Sequence, residues 1–256
     1  MTTFACLALM RFDQLRLVGF PPQANDWISQ AILRAWPDGI SAGKAHPRCY
    51  EIKLGGTPWA PKGHDAMHAR FLMLEILTEL KRHGYTLHSS SDVANSERAR
   101  DTLVFRHGLL EESPAMFAIS TNASDLLRLL RAPAELEPVV EQLIARHWPP
   151  GLHRKTLDVV PGCAEFKFRE CPWAFNVMHN MNDDDSDDAR IFLLHLFATL
   201  EERGWHLYGS IGQATSIFSD GRAKDTCYFY HAVPFAVPVV KVPTDPMAPS
   251  APAFMA

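Results

Sequence analysis

Four charged residues recur in this chain at a spacing that could serve a bound ligand: Glu51 and Lys53, then Glu165 and Lys167. They sit in Cys49-Tyr50-Glu51-Ile52-Lys53-Leu54 and Cys163-Ala164-Glu165-Phe166-Lys167-Phe168. Period-two alternation of this kind places a carboxylate and an ammonium on one face of a half-buried strand. On a solvated sheet face such charges form cross-strand pairs contributing about 0.2–1 kcal/mol each. Brought together from two sheets, the same faces would line a shared groove offering both signs of charge. A Pro-Trp pair follows each strand, Pro58-Trp59 and Pro172-Trp173. An indole offers a wide apolar face and one donor, which suits stacking on a ligand or anchoring a partner. Its presence in both copies equally suits a fold role, pinning the strand's end to its own helix. Trp59, Trp173, Glu51, Lys53, Glu165 and Lys167 are therefore the candidate ligand- or partner-binding residues.

Other constellations point less far. His64-Asp65-Ala66-Met67-His68 sets two imidazoles four apart on a helix, a spacing that zinc accepts. The zinc-protease pattern needs a glutamate directly after the first histidine, where Asp65 stands. The acidic run Asn182 to Asp188 lacks the alternating ligands, central glycine and terminal glutamate of a calcium loop. It falls where a long helix begins, and carboxylates there oppose the positive end of the helix dipole. Gly209-Ser210-Ile211-Gly212 resembles a nucleophilic serine turn only in part. Cys49 and Cys163 lie on strands, where a small buried thiol is the simpler role. No metal and no cofactor is expected.

The elements that position these residues occur twice. Asp13 to Leu17 and Trp36-Pro37 reappear at Asp125 to Leu129 and Trp148-Pro149, a shift of 112; Glu51-x-Lys53 reappears after 114, Ala69-Arg70 and Gly84-Tyr85 after 120, and Asp101-Thr102 after 124. The shift grows only between matched blocks, where loops accept insertions. In each unit a strand ends at Pro21 or Pro133. Helices follow over Asn25–Ala35 and Leu136–His147, then the alternating strand, then long helices over Asp65–Arg82 and Ser186–Arg203. Gly84 and Gly204 close the long helices, and two short strands end each unit. The expectation is an α+β fold: a tandem duplication of a β-α-β-α-β-β unit, each with a largely antiparallel sheet and helices on one face. The long helices are apolar around most of their circumference, so both should bury a second surface at the contact between units, giving a pseudo-twofold pair. Glu75 and His195 would then be able to meet. A smaller echo, Phe4-Ala5-Cys6, Phe117-Ala118-Ile119 and Phe235-Ala236-Val237, reads as an edge strand. The expected divisions are residues 1–112, 113–243 and a disordered proline- and alanine-rich tail over 244–256.

A net charge of -4 with 21% charged residues supplies no basic field, so neither nucleic acid nor an anionic membrane is an expected partner. Apolar runs fall short of the roughly 20 residues of a membrane span. The apolar stretch Phe4 to Met10 lacks the basic segment and cleavage site of a secretory signal. Five cysteines without framework spacing suggest reduced thiols and a cytoplasmic setting.

The block from Glu51-Ile52-Lys53 through Pro58-Trp59, Gly84-Tyr85 and Asp101-Thr102-Leu103-Val104-Phe105 resembles a pattern in uncharacterised eukaryotic proteins with one or two such units. The resemblance covers most of both repeats and implies no activity. The sequence reads best as a soluble, non-catalytic binding module for a protein or small ligand, using the junction between the units of a monomer. One alternative is a hydrolase or transferase with its site in the inter-repeat cleft, at positions where the copies differ: His64/Asp184, Glu75/His195 or Ser89/Gly209. The other is a self-assembling structural protein with an exposed edge strand.

Overall fold

The computed structural model describes residues 3–61, 63, 65–91, 99–173, 183–212 and 226–232. The described residues form twelve strands, most of them from alternating or apolar runs, and four helices. In the first unit these are β1 (Phe4–Met10), β2 (Gln14–Val18), α1 (Ala24–Ala35), β3 (Ile40–His46), β4 (Cys49–Leu54), α2 (Asp65–Arg82), β5 (Tyr85–Ser91) and β6 (Ala99–His107). The second unit repeats them as β7 (Met116–Asn122), β8 (Leu126–Leu130), α3 (Leu136–His147), β9 (Leu152–Thr156), β10 (Cys163–Phe168), α4 (Asp183–Glu201), β11 (Trp205–Ile211) and β12 (Thr226–His231). Each unit forms one six-stranded antiparallel sheet, and the strand orders β3-β4-β2-β1-β6-β5 and β9-β10-β8-β7-β12-β11 are the same. The tandem α+β duplication is thus a property of the fold.

Three details of the expected unit change, the first being a strand, β3 or β9, that follows the first helix and that the order β-α-β-α-β-β lacks. The echo strand is β1 or β7 and lies near the middle of its sheet, between β2 and β6 or between β8 and β12, not at an edge. Its register is also one residue from the apparent match: Cys6 pairs with Val18 as Ala118 pairs with Leu130, so the shift is 112 and Ala5 corresponds to Phe117. A one-residue slip turns every side chain to the other face. The true edges on one side are β3 and β9, whose mostly exposed residues carry no alternating apolar signal. The third echo, at Phe235, and the tail over 244–256 lie outside the described residues.

The decisive feature is how the units meet. Leu7, Leu9, Leu15, Leu17, Ile52 and Leu54 bury one face of the first sheet against α1 and α2. In the second sheet both faces are buried. Phe117, Ile119, Leu127, Leu129, Phe166 and Phe168 pack with α3 and α4. Met116, Ala118, Leu130, Cys163 and Tyr228 belong instead to the core that surrounds α2. The layers therefore run sheet, helices, sheet, helices, and α2 is enclosed almost all round. This corrects the expected pseudo-twofold pairing. The helix layer of the first unit packs on the sheet of the second, a meeting of unlike surfaces, while the equivalent strands β5 and β11 touch along one edge; among the described residues α4 makes no contact of comparable extent with the first sheet. Glu75 and His195 do not pair either: Glu75 accepts hydrogen bonds from Arg34 and Arg131, while His195 stacks on His147 with ring centres 3.7 Å apart.

Candidate functional site

The Glu-x-Lys strands hold the same bonds in both units. Arg16 stands opposite Glu51 and its Nε donates to Glu51 Oε2 at 2.8 Å; Arg128 stands opposite Glu165 and bonds Oε2 through Nε at the same distance. Lys53 faces Asp13 at 3.7 Å and Lys167 faces Asp125 at 3.3 Å. All four candidate charges thus have cross-strand or neighbouring partners. They do not line a shared groove. The Glu51 face points away from α2, on the far side of the first sheet, whereas the Glu165 face points toward it.

Both tryptophans are buried. Trp59 donates its Nε1 proton to the Gln14 carbonyl at 3.0 Å, and the ring of Trp173 packs on Phe168 and Phe192. Their backbone amides bond the carbonyls of Phe12 and Ser124, equivalent turns that hold strand to strand. Trp36 and Trp148 play a parallel part, each donating across its unit to the carbonyl of Gly55 or Arg169.

Where the units meet, α2 carries an unusual load of polar groups. Arg70 donates to Thr226 Oγ1 at 3.2 Å and to the Ala66 carbonyl, and burial holds its guanidinium below its ordinary pKa. Burial pushes the adjacent Cys163 thiol up to about 11, against the opposing pull of Arg128, and raises the Tyr228 phenol as well. Lys81 pairs with Glu111 at 2.7 Å and lies 4.8 Å from the centre of the Tyr230 ring, a cation–π contact. Glu75 resists burial because Arg131 and Arg34 hydrogen-bond it, and they hold its carboxyl below the usual range. Alongside, Tyr208 accepts a hydrogen bond from the Leu87 amide at 2.8 Å and donates to the Tyr85 carbonyl. A Cβ at Gly209 would come within 2.5 Å of the tip of the Leu87 side chain, which would have to turn aside to admit it. The Gly209-to-Gly212 segment begins within β11, not on a strand-to-helix turn, so it does not present Ser210 as a nucleophile elbow would.

Of the histidine pair, His68 lies on α2 and His64 falls outside the described residues. Among the described residues no group of three or more His, Cys, Asp or Glu side chains could hold a metal ion. A cavity of about 90 Å³ lies beside Glu137, Asp158 and Cys163. Lys167 and Asp125 edge a wider, open depression with His153, Arg169, Glu170 and Cys171.

The surfaces that sequence reasoning missed are those the head-to-tail stacking leaves uncovered. Phe71 and Leu74 of α2 are 8% and 0% exposed beneath the second unit; their counterparts on α4, Ile191 and Leu194, are 44% and 69% exposed. On the first sheet Phe4 and Val18 are exposed, whereas the equivalent Met116 and Leu130 are buried by α2. The signal was present. Gln14-Leu15-Arg16-Leu17-Val18 alternates as a one-sided strand does, and Leu126-Leu127-Arg128-Leu129-Leu130 is nearly continuous, as a strand buried on both faces should be.

Fold and surfaces together define a tandem α+β protein with two sheets of one topology, stacked so that among the described residues one helix face and one sheet face stay open. Residues 3–106 and again 115–230 match one family model, that of an uncharacterised domain; the chain belongs to that family and carries its domain twice. No curated protein is matched. A crystal structure of a conserved kinetoplastid-specific protein from Trypanosoma cruzi is 16% identical over 40% of this chain and 95% of that one, with a TM-score of 0.29. No helix among the described residues is long and apolar enough to cross a membrane.

Proposed function

We propose that this protein is a non-catalytic binding module whose docking surface is the open face of α4. The observation that carries this reading is the pair Ile191 and Leu194, exposed at positions whose counterparts in the first unit are covered by a protein surface. Large aliphatic side chains held side by side on an ordered helix suit a protein partner, because burying each contributes about 1.5–3 kcal/mol. Arg190 and Glu201 flank the pair on the same exposed face and supply a polar rim. Trp59 and Trp173 act from beneath, keeping each sheet in place under its helices. Glu51 and Lys53 belong to the second open face, on the far sheet.

Affinity capture from native lysate, run in parallel with the full chain and its Leu194→Glu variant, tests this. The reading expects at least one protein to be recovered by the first and lost with the second. Identical recoveries from both would contradict it.

A further inference from the structure

We propose that the partner for the open face of α4 is the open sheet face of a second copy of this chain, so that copies stack head to tail as the two units do within one chain. The inference rests on the docking reading above and adds the identity of the partner.

The intramolecular contact is the template. It joins a helix layer to a sheet face, and among the described residues each chain has one further helix layer and one further sheet face of the same construction left over. Unlike surfaces that meet this way do not close on themselves in a pair, so the contact propagates. The open sheet face repeats the receiving face of the second unit: Cys49 stands where Cys163 stands, Arg16 and Glu51 repeat Arg128 and Glu165, Val18 replaces Leu130 and Thr102 replaces Thr226. On the helix side, Arg190 and Leu194 repeat Arg70 and Leu74.

Transposing the internal contacts onto the open faces gives compatible chemistry. The bond from Arg70 to Thr226, 3.2 Å, becomes one to Thr102 of the next copy from Arg190, whose guanidinium also donates to Asp187 at 2.7 Å within its own chain. Lys81 over the Tyr230 ring becomes Glu201 beside Arg106, because both positions have changed together, from a cation on an aromatic to an anion on a cation. A joint change that keeps the contact attractive is what a working interface requires, since like charges there would repel.

The test is the mass of the full chain against concentration, by sedimentation or light scattering, with two single variants whose sites are exposed. The wild-type chain is expected to grow past a dimer as concentration rises. Leu194→Glu blocks the helix face and Val18→Glu blocks the sheet face, so each alone stays monomeric. Mixed one to one, they keep one good face each and form a dimer that grows no further. Glu201→Arg and Arg106→Glu form a milder pair: each weakens growth severalfold, and the mixture recovers part of it.

A chain that stays monomeric at every concentration would overturn the proposal, as would growth that stops at a dimer, which indicates like surfaces meeting. Failure of the mixed variants to dimerise would overturn it too. Assembly that begins only after removal of residues 244–256 would assign the face to the chain's own tail. If the chain is monomeric but Leu194→Glu still loses a captured protein, the docking reading stands and only the second-copy partner falls; if the variant changes neither, both fall.

Discussion

Arg16 with Glu51 and Arg128 with Glu165 are one ion pair built twice, at the same register and with the same 2.8 Å bond, in two different surroundings. On the first sheet the pair faces solvent, with side chains 41% and 16% exposed; on the second it lies toward α2, at 14% and 10%. Local sequence decides that the pair forms. What covers the sheet decides what the pair is worth. An exposed pair contributes little, because water screens it and two long side chains must be held still. A buried pair is costly to break, because removing one partner strands the other charge.

The largest effect should separate these two sites. Glu165→Ala is expected to lose about 3–5 kcal/mol of stability, by stranding Arg128 beside Arg70 under the helix layer. Glu51→Ala should lose about 1 kcal/mol or less. Urea unfolding of the two variants measures both, and equal losses would break the comparison.

A smaller effect should come from Glu75, which ties the helix layer of the first unit to Arg131 of the second. Glu75→Gln is expected to cost about 1–3 kcal/mol at neutral pH. Its pKa is lowered in the fold, so its stabilisation is fully present above the ordinary carboxylate value of about 4.3 and is lost as pH falls through that value toward its own lower one. Wild-type stability should therefore fall more steeply than that of the variant below about pH 4. Parallel acid profiles would show that Glu75 contributes no charge-dependent link between the units.

The repeat itself was legible because each unit must rebuild one core: Trp36 and Trp148, Trp59 and Trp173, and Gly84 and Gly204 return at corresponding places and serve corresponding bonds. The central strand was misread because Phe4 to Met10 and Met116 to Ile119 are apolar on both faces, which leaves a one-residue slip undetected in sequence. The edge strands β3 and β9 bury too little to show a period. The stacking was half legible. An apolar arc wider than one sheet requires was visible on both long helices, and it correctly demanded a second surface for α2. Nothing in that arc said that the demand on α4 goes unmet among the described residues, because the covering surface for α2 is encoded elsewhere, in the doubled apolar character of β7 and β8.

Hydroxyl-radical footprinting of the full chain at its lowest workable concentration, read peptide by peptide, tests the head-to-tail arrangement most directly. Oxidation should be strong at Ile191 and Leu194 and close to background at Phe71 and Leu74, since the first pair faces solvent and the second lies under the second sheet. Equal protection of the two helices would restore a symmetric pairing and contradict the account; equal oxidation would mean that the units do not stack.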